Sequence, residues 1–229
     1  MYHNVCENDQ HSHGLSISAS RLESHLRYLR DNYYSSFHLS ELENAHTIPE
    51  KSVVITFDDV TRNQLLYALP LLIEYNLKAT FFIPFGYIGE TDKWNEGGEK
   101  IMSMSELQSL DSRVELAFHS YAHKKYTTMS EDEIKEDFDK CLKIAKDNGL
   151  KMYNAVAYPF GNFPKAKAEN AGFNTVLREK GIKMGLRIGN RINRFPFKNP
   201  FAIERIDIKG QDSLMKFKLK VRFGKLKLF

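Results

Sequence analysis

Four short, continuous apolar runs, each ending abruptly in a polar or turn-forming group, constrain this chain more than any other feature. Val53-Val54-Ile55-Thr56-Phe57 runs straight into Asp58-Asp59, and Ala79 to Ile83 is stopped by Pro84. Val114 to Phe118 ends at His119, and Tyr153 to Tyr158 ends in Pro159-Phe160-Gly161. Runs of this length without alternation read as strands buried on both faces, the habit of parallel sheets. Amphipathic helical stretches separate them. Ser20 with Glu23 forms a capping box ahead of Leu22, Leu26 and Leu29, predicting a helix over 21–31, and a second helical stretch covers 62–76. Ser103 with Glu106 caps a third helix. Ser130 with Glu133 opens the clearest one, where Ile134, Phe138, Cys141, Leu142 and Ala145 share a face before Gly149 ends it. Shorter pieces follow near 173–177 and 202–208. Strands alternating with helices mean a parallel sheet covered by helices, either a barrel or a doubly wound sheet. With no internal repeat or long linker, residues 1–212 form one domain.

Three strand ends carry groups suited to a metal site: Asp58-Asp59, then His119 with His123, then the Tyr158-Pro159-Phe160-Gly161 turn. Ligand sites of parallel α/β folds collect at the carboxyl ends of strands, so the three segments should converge. Two imidazoles four residues apart share one face of a helical turn and can hold one divalent ion. A carboxylate from another segment adds a third ligand, and a second carboxylate beside the metal can act as general base for water. Alone, each piece has an ordinary reading, as a turn, a helix cap or a chance pair of histidines. Their joint placement carries the argument.

The charge is uneven. The chain of 229 residues has a net charge of +4, and Ser213 to Phe229 contributes six basic residues, Lys216, Lys218, Lys220, Arg222, Lys225 and Lys227, with no acidic ones. A net of +4 with +6 in the tail leaves −2 for residues 1–212. Phe217, Leu219, Val221 and Phe223 alternate with the basic positions at a period of two, so the tail reads as an edge strand or solvated extension rather than an amphipathic helix. Docking on anionic lipid is a second reading of the same residues. Nucleic-acid binding is disfavoured, because no basic groove or recognition motif stands elsewhere. Cys6 and Cys141 cannot build a disulfide framework, and the longest apolar run, Leu65 to Ile73, is half of the roughly 18 residues a membrane span requires. The first residues lack the basic and apolar segments of a secretory leader, giving the expectation of a cytoplasmic protein, peripheral to the inner face of the membrane if the tail binds lipid.

Thr56-Phe57-Asp58-Asp59, His119-Ser120-Tyr121-Ala122-His123 and Ala157-Tyr158-Pro159-Phe160-Gly161 resemble the first three motifs of the NodB-type polysaccharide deacetylases, carbohydrate esterase family 4. The resemblance extends over roughly residues 1–210. It implies a distorted, incomplete (β/α) barrel and metal-dependent removal of N-acetyl or O-acetyl groups from a polysaccharide or lipid-linked sugar. Residue by residue, it implies Asp58 as general base, Asp59, His119 and His123 as ligands of a divalent metal, usually Zn2+, and the Phe160 backbone N–H as oxyanion donor. Tyr158 and Pro159 are implied on the substrate side. The family's usual acid is a histidine near the C-terminus, and no histidine follows His123 here. A permuted branch that includes biofilm poly-N-acetylglucosamine deacetylases carries it in an N-terminal Tyr-His strand. Met1-Tyr2-His3-Asn4-Val5 is similar to that strand, which implies His3 as general acid. His11, His13, His25, His38 and His46 are expected on the surface or in loops.

Three departures stand out. Val60 replaces the family's Gly after the aspartate pair, and Ala157 replaces an Arg that usually restrains the catalytic Asp. Arg205, on the last expected strand, is the candidate replacement. Trp94, the only Trp, lies with Tyr87 in the loop 86–98 and is a candidate for stacking on a sugar ring. The enzyme alternative is a metal-dependent amidase on a non-carbohydrate amide, and the non-enzyme alternative is a catalytically silent glycan-binding protein.

Overall fold

The apolar runs become the centre of one six-stranded parallel sheet. The structure, a computed structural model, describes residues 1–95 and 97–224. The strands in chain order are β1 (Asn4–Cys6), β2 (Ser16–Ser18), β3 (Ser35–Ser36), β4 (Ser52–Val53), β5 (Ile55–Asp58), β6 (Ala79–Ile83), β7 (Val114–Phe118), β8 (Met152–Ala157), β9 (Met184–Ile188) and β10 (Ile203–Arg205). The helices are α1 (Ala19–Asp31), α2 (Leu39–Glu43), α3 (Leu69–Glu74), α4 (Met104–Gln108), α5 (Glu131–Asp147), α6 (Lys167–Glu179) and α7 (Leu214–Phe223).

Strands β5 to β10 lie side by side in strict chain order, every pair parallel. A doubly wound sheet reverses its progression at a switch point; this one never does, so it curls into an incomplete α/β barrel. The larger apolar cluster fills the layer between sheet and helices, with Phe57, Phe81 and Phe118 facing Leu72, Phe138 and Val176. The second cluster lies on the other face of the sheet, where Ala117, Ala155 and Ala157 leave room for Phe82, Met184, Leu186 and Ile203, with Leu39 and Leu42 of α2 packed against them. Residues 1–3 enter beside β5. Tyr2 N–H donates to the Thr56 carbonyl at 2.8 Å and the Asp58 N–H to the Tyr2 carbonyl at 3.0 Å, while the Ile208 N–H reaches the Met1 carbonyl at 3.3 Å. The first residues thus lie between the β5 edge and the chain that follows β10, and this fixes where His3 stands.

Several local expectations are corrected. Helix α1 starts at Ala19, because Ser18 is the cap, its oxygen accepting from the Arg21 N–H, while the Ser20 hydroxyl donates to Asp9. Residues 173–177 belong to α6, and the strand after it is β9. The largest change concerns the tail: 214–223 is a helix, capped by Ser213, whose oxygen accepts from the Lys216 N–H at 3.2 Å. Phe217 is its buried residue, stacked on His25 with ring centroids 3.9 Å apart. The expectations for Lys225 and Lys227 lie outside the described residues. Among the described residues, no helix is long and apolar enough to cross a membrane.

Candidate active site

Asp58 closes β5, and the chain then turns through two left-handed residues, Asp59 at φ 75° and Val60 at φ 43°. A β-branched residue rarely adopts such a φ, and persists there only when its surroundings hold it. Here the Val60 side chain is fully buried and its carbonyl accepts from the Met102 N–H at 2.9 Å. The turn brings both aspartates, 2% and 7% exposed, into one cavity of about 280 Å³.

Arg205 reaches Asp58 from β10, at the far edge of the sheet. Its two terminal nitrogens donate to the two carboxylate oxygens at 2.5 and 2.8 Å, a bidentate pair that fixes position and orientation. Burial alone raises the Asp58 pKa; Arg205, with His119 and His3, outweighs it and holds the carboxyl well below the usual range. His3 Nε2 stands 3.7 Å from Asp58 Oδ2. Gln64, in a π-turn leading into α3, donates to the carbonyls of both His3 (2.9 Å) and Asp58 (2.6 Å), so one amide ties the two segments together. Sequence reasoning missed Gln64. A π-turn next to the aspartates is its structural signal, and nothing in the residue pattern announces it.

The two imidazoles sit on a loop after β7, and not on a helical turn. Ser120 (φ 65°) and His123 (φ 51°) are both left-handed, and the Ser120 hydroxyl oxygen accepts from the His123 N–H at 2.8 Å. Asp137 of α5 anchors this loop, its two oxygens accepting from the N–H groups of Tyr121 (2.8 Å) and Ala122 (3.0 Å). His119 Nδ1–H donates to the Ala157 carbonyl at 2.7 Å, which leaves Nε2 with its lone pair directed at the cluster.

Asp59, His119 and His123 offer ligand atoms that all lie within 4.8 Å of one another. Asp59 Oδ1 is 3.4 Å from His119 Nε2 and 3.3 Å from His123 Nε2, and the two imidazole nitrogens are 3.3 Å apart. Asp59 Oδ1 is buried without a hydrogen-bond partner. Burial lowers the His119 pKa to about 4, keeping the ring neutral, while Asp59 stays below its ordinary value because its imidazole neighbours outweigh the burial that raises it. A neutral imidazole with a free lone pair, an ionised carboxylate and an orphaned oxygen fit a divalent cation.

Aromatic rings frame the cluster. Trp94 stacks on His123 at 3.9 Å and 23°, Tyr87 meets Trp94 edge-on at 4.7 Å, and Phe160 packs edge-on against His123 at 4.9 Å. Phe160 is left-handed (φ 59°), half exposed, and lines the cavity with Trp94, Asp207 and Lys209. Tyr158 and Pro159 do not line it: Tyr158 is fully buried, stacked on Phe163, with its hydroxyl donating to the Phe201 carbonyl at 2.9 Å. Its bulk serves the core, against the substrate-side expectation for Tyr158; Pro159 is buried as well. His25 is likewise buried, with Nδ1 3.2 Å from the Tyr2 hydroxyl, and His38 Nε2 lies 2.8 Å from the Arg113 carbonyl; His11, His13 and His46 are exposed.

These features define a class: an incomplete α/β barrel whose strand ends gather a candidate cation centre and an arginine-clamped carboxylate beside it. The chain belongs to the polysaccharide deacetylase family, whose family model matches residues 45–181. It is 27% identical over 204 residues to the poly-beta-1,6-N-acetyl-D-glucosamine N-deacetylase of Staphylococcus aureus, a match that spans 83% of this chain and 67% of that protein. Among solved structures, the Streptococcus pyogenes deacetylase PplD in complex with acetate superposes with a TM-score of 0.77 at 19% identity, covering 96% of both chains. IcaB from Ammonifex degensii superposes with a TM-score of 0.76 at 20% identity, covering 96% of this chain and 93% of that one. Both establish the NodB-type barrel as the fold.

Proposed function

We propose that this chain hydrolyses N-acetyl groups from a β-linked poly-N-acetylglucosamine, with a divalent cation held by Asp59, His119 and His123. The observation that carries the reading is the ionised Asp58, clamped by Arg205 beside that ligand set and within 3.7 Å of His3. The similarity to the Staphylococcus aureus enzyme supports the substrate class. When bound, a divalent cation, zinc being the natural choice for two imidazoles and a carboxylate, supplies Lewis-acid polarisation of the acetyl carbonyl and of water.

The chain's own residues do the rest. Asp58 accepts the proton of the attacking water, and Arg205 keeps that carboxylate ionised across the neutral range and stops it from rotating. The Phe160 main-chain N–H donates to the acetyl oxygen as it gains charge. His3 delivers a proton from Nε2 to the sugar nitrogen as the C–N bond breaks, so that an amine leaves instead of an amide anion. Trp94 and Phe160 offer flat apolar faces to the sugar ring at the cavity rim.

The test is acetate release from poly-β-1,6-N-acetylglucosamine oligomers by the zinc-loaded chain. Asp58→Asn should lower kcat by about 10²–10⁴ with the fold retained by circular dichroism. A loaded wild type that binds zinc but releases no acetate from these or other N-acetylated glycans would overturn the reading.

A further inference from the structure

We propose that the outward face of α7, together with the neighbouring loop at 190–192, is a docking surface for a bilayer bearing anionic headgroups. The helix has two unlike sides. Phe217 (3% exposed) and Lys220 point inward, Lys220 donating to the Asp207 carbonyl at 2.7 Å and pairing with Asp212. Met215, Leu219 and Phe223, spaced by four, share the opposite face. Met215 is 63% and Phe223 56% exposed. Lys218 and Arg222 flank this stripe on one side and Lys216 on the other, Lys216 also reaching Asp212 at 2.7 Å. Gly224 brings the end of α7 against residues 190–192, where Ile192 is 52% exposed and the Arg191 side chain, 80% exposed, stands 3.9 Å from Glu204.

Exposed large apolar side chains between cations make the arrangement of a helix lying in a membrane interface: the apolar residues enter the acyl boundary and the cations meet the headgroups. Charge complementarity selects the occupant. Lys216, Lys218 and Arg222 stand on the outward side of α7, whereas residues 1–212 carry a net −2, so an anionic surface attracts this face and not the rest of the molecule. An acidic protein would satisfy the cations without needing three apolar side chains in water, whereas a bilayer satisfies both. The helical geometry also separates this face from the core, since the residues that hold α7 to α1 are not those that would enter lipid.

The experiment is co-sedimentation of the full chain with phosphatidylcholine vesicles, with and without about a third of phosphatidylglycerol, at about 0.1 M salt. The wild type should pellet with the anionic vesicles alone, and less so as salt rises. Lys218→Gln with Arg222→Gln should weaken partitioning about thirtyfold, and Arg191→Gln, on a separate segment, about fivefold. Met215→Ser with Phe223→Ser should weaken it at unchanged salt dependence. All of these variants should release acetate from a soluble substrate as the wild type does, and only the variant carrying Lys218→Gln, which loses an ammonium 5.0 Å over the Tyr28 ring of α1, should melt slightly earlier. A wild type that stays in the supernatant, or that binds neutral vesicles equally, overturns the proposal. So do charge variants that bind like the wild type. Concentration-dependent association in light scattering that Met215→Ser with Phe223→Ser abolishes, without vesicle binding, would identify a second copy as the occupant and also overturn it.

Discussion

The Asp58–Arg205 pair joins the two edges of the sheet through residues 147 positions apart. Both partners are buried, so losing either leaves an uncompensated charge in the interior. Arg205→Ala should therefore cost about 3–5 kcal/mol in urea unfolding, far more than a surface pair would. Arg205→Lys separates charge from geometry, because an ammonium cannot donate along two parallel directions to both carboxylate oxygens. If Arg205 orients the base, Arg205→Lys should retain most of the stability yet lower kcat by tenfold or more at little change in KM; equal kcat would remove it from the chemistry. Arg205 was legible in advance only as a cation on the last strand, proposed because Ala157 left the restraint empty. That it faces Asp58 follows from the curl of the sheet, which a linear sequence does not display. His25 and Tyr158 were misplaced for a related reason, since a lone polar side chain in the sequence carries no mark of what will pack against it.

Among the elements, the loop from His119 to His123 shows how a helix sets the geometry of residues it does not contain. Asp137, buried on the inner face of α5 beside Phe138, accepts two N–H groups of that loop and so fixes the spacing of the two imidazoles. Asp137→Asn replaces one acceptor by an amide NH2 that opposes a main-chain donor. It should weaken zinc affinity 10–100-fold in a chelator competition, with α5 intact by circular dichroism. Unchanged affinity would show that the loop holds its shape without this anchor. The capping boxes at Ser103 and Ser130 were readable because side chain and backbone three residues apart satisfy each other locally. In α1 the same pattern misled by two residues, because Asp9 occupies the Ser20 hydroxyl and Ser18 caps instead. In α7 the period of two was real but irrelevant, since residues spaced by four meet the same surroundings in a helix whatever alternates between them. The strand β9 escaped notice because Gly185 and Arg187 interrupt its apolar run, and its burial comes from neighbours distant in sequence.

At the scale of the whole molecule, acid stability divides the titrating groups into two windows. Asp58 has its pKa depressed in the folded state, so its contribution is present above the ordinary carboxylate value and is lost only as the pH falls below it. His25 acts earlier. Burial between α1 and α7 lowers its pKa from 6.5 to about 4, so the unfolded chain binds a proton there that the folded protein refuses. Stability associated with the neutral ring is complete above about pH 6.5, and falls by up to about 3 kcal/mol as the pH drops toward 4. His119, also lowered to about 4 by burial, adds the same trend in the metal-free protein, which makes a comparison of variants necessary to isolate His25. His25→Phe keeps an aromatic ring on Phe217 and removes the titration. Urea unfolding of the metal-free wild type and of His25→Phe at about pH 7 and about pH 5 should show the wild type losing more stability, by about 2 kcal/mol, over that interval. Parallel losses in the two proteins would mean that α7 admits water to the ring. Because the stack on Phe217 is what shields His25, the same measurement reports how tightly the basic helix is seated on the barrel, independently of what its outer face binds.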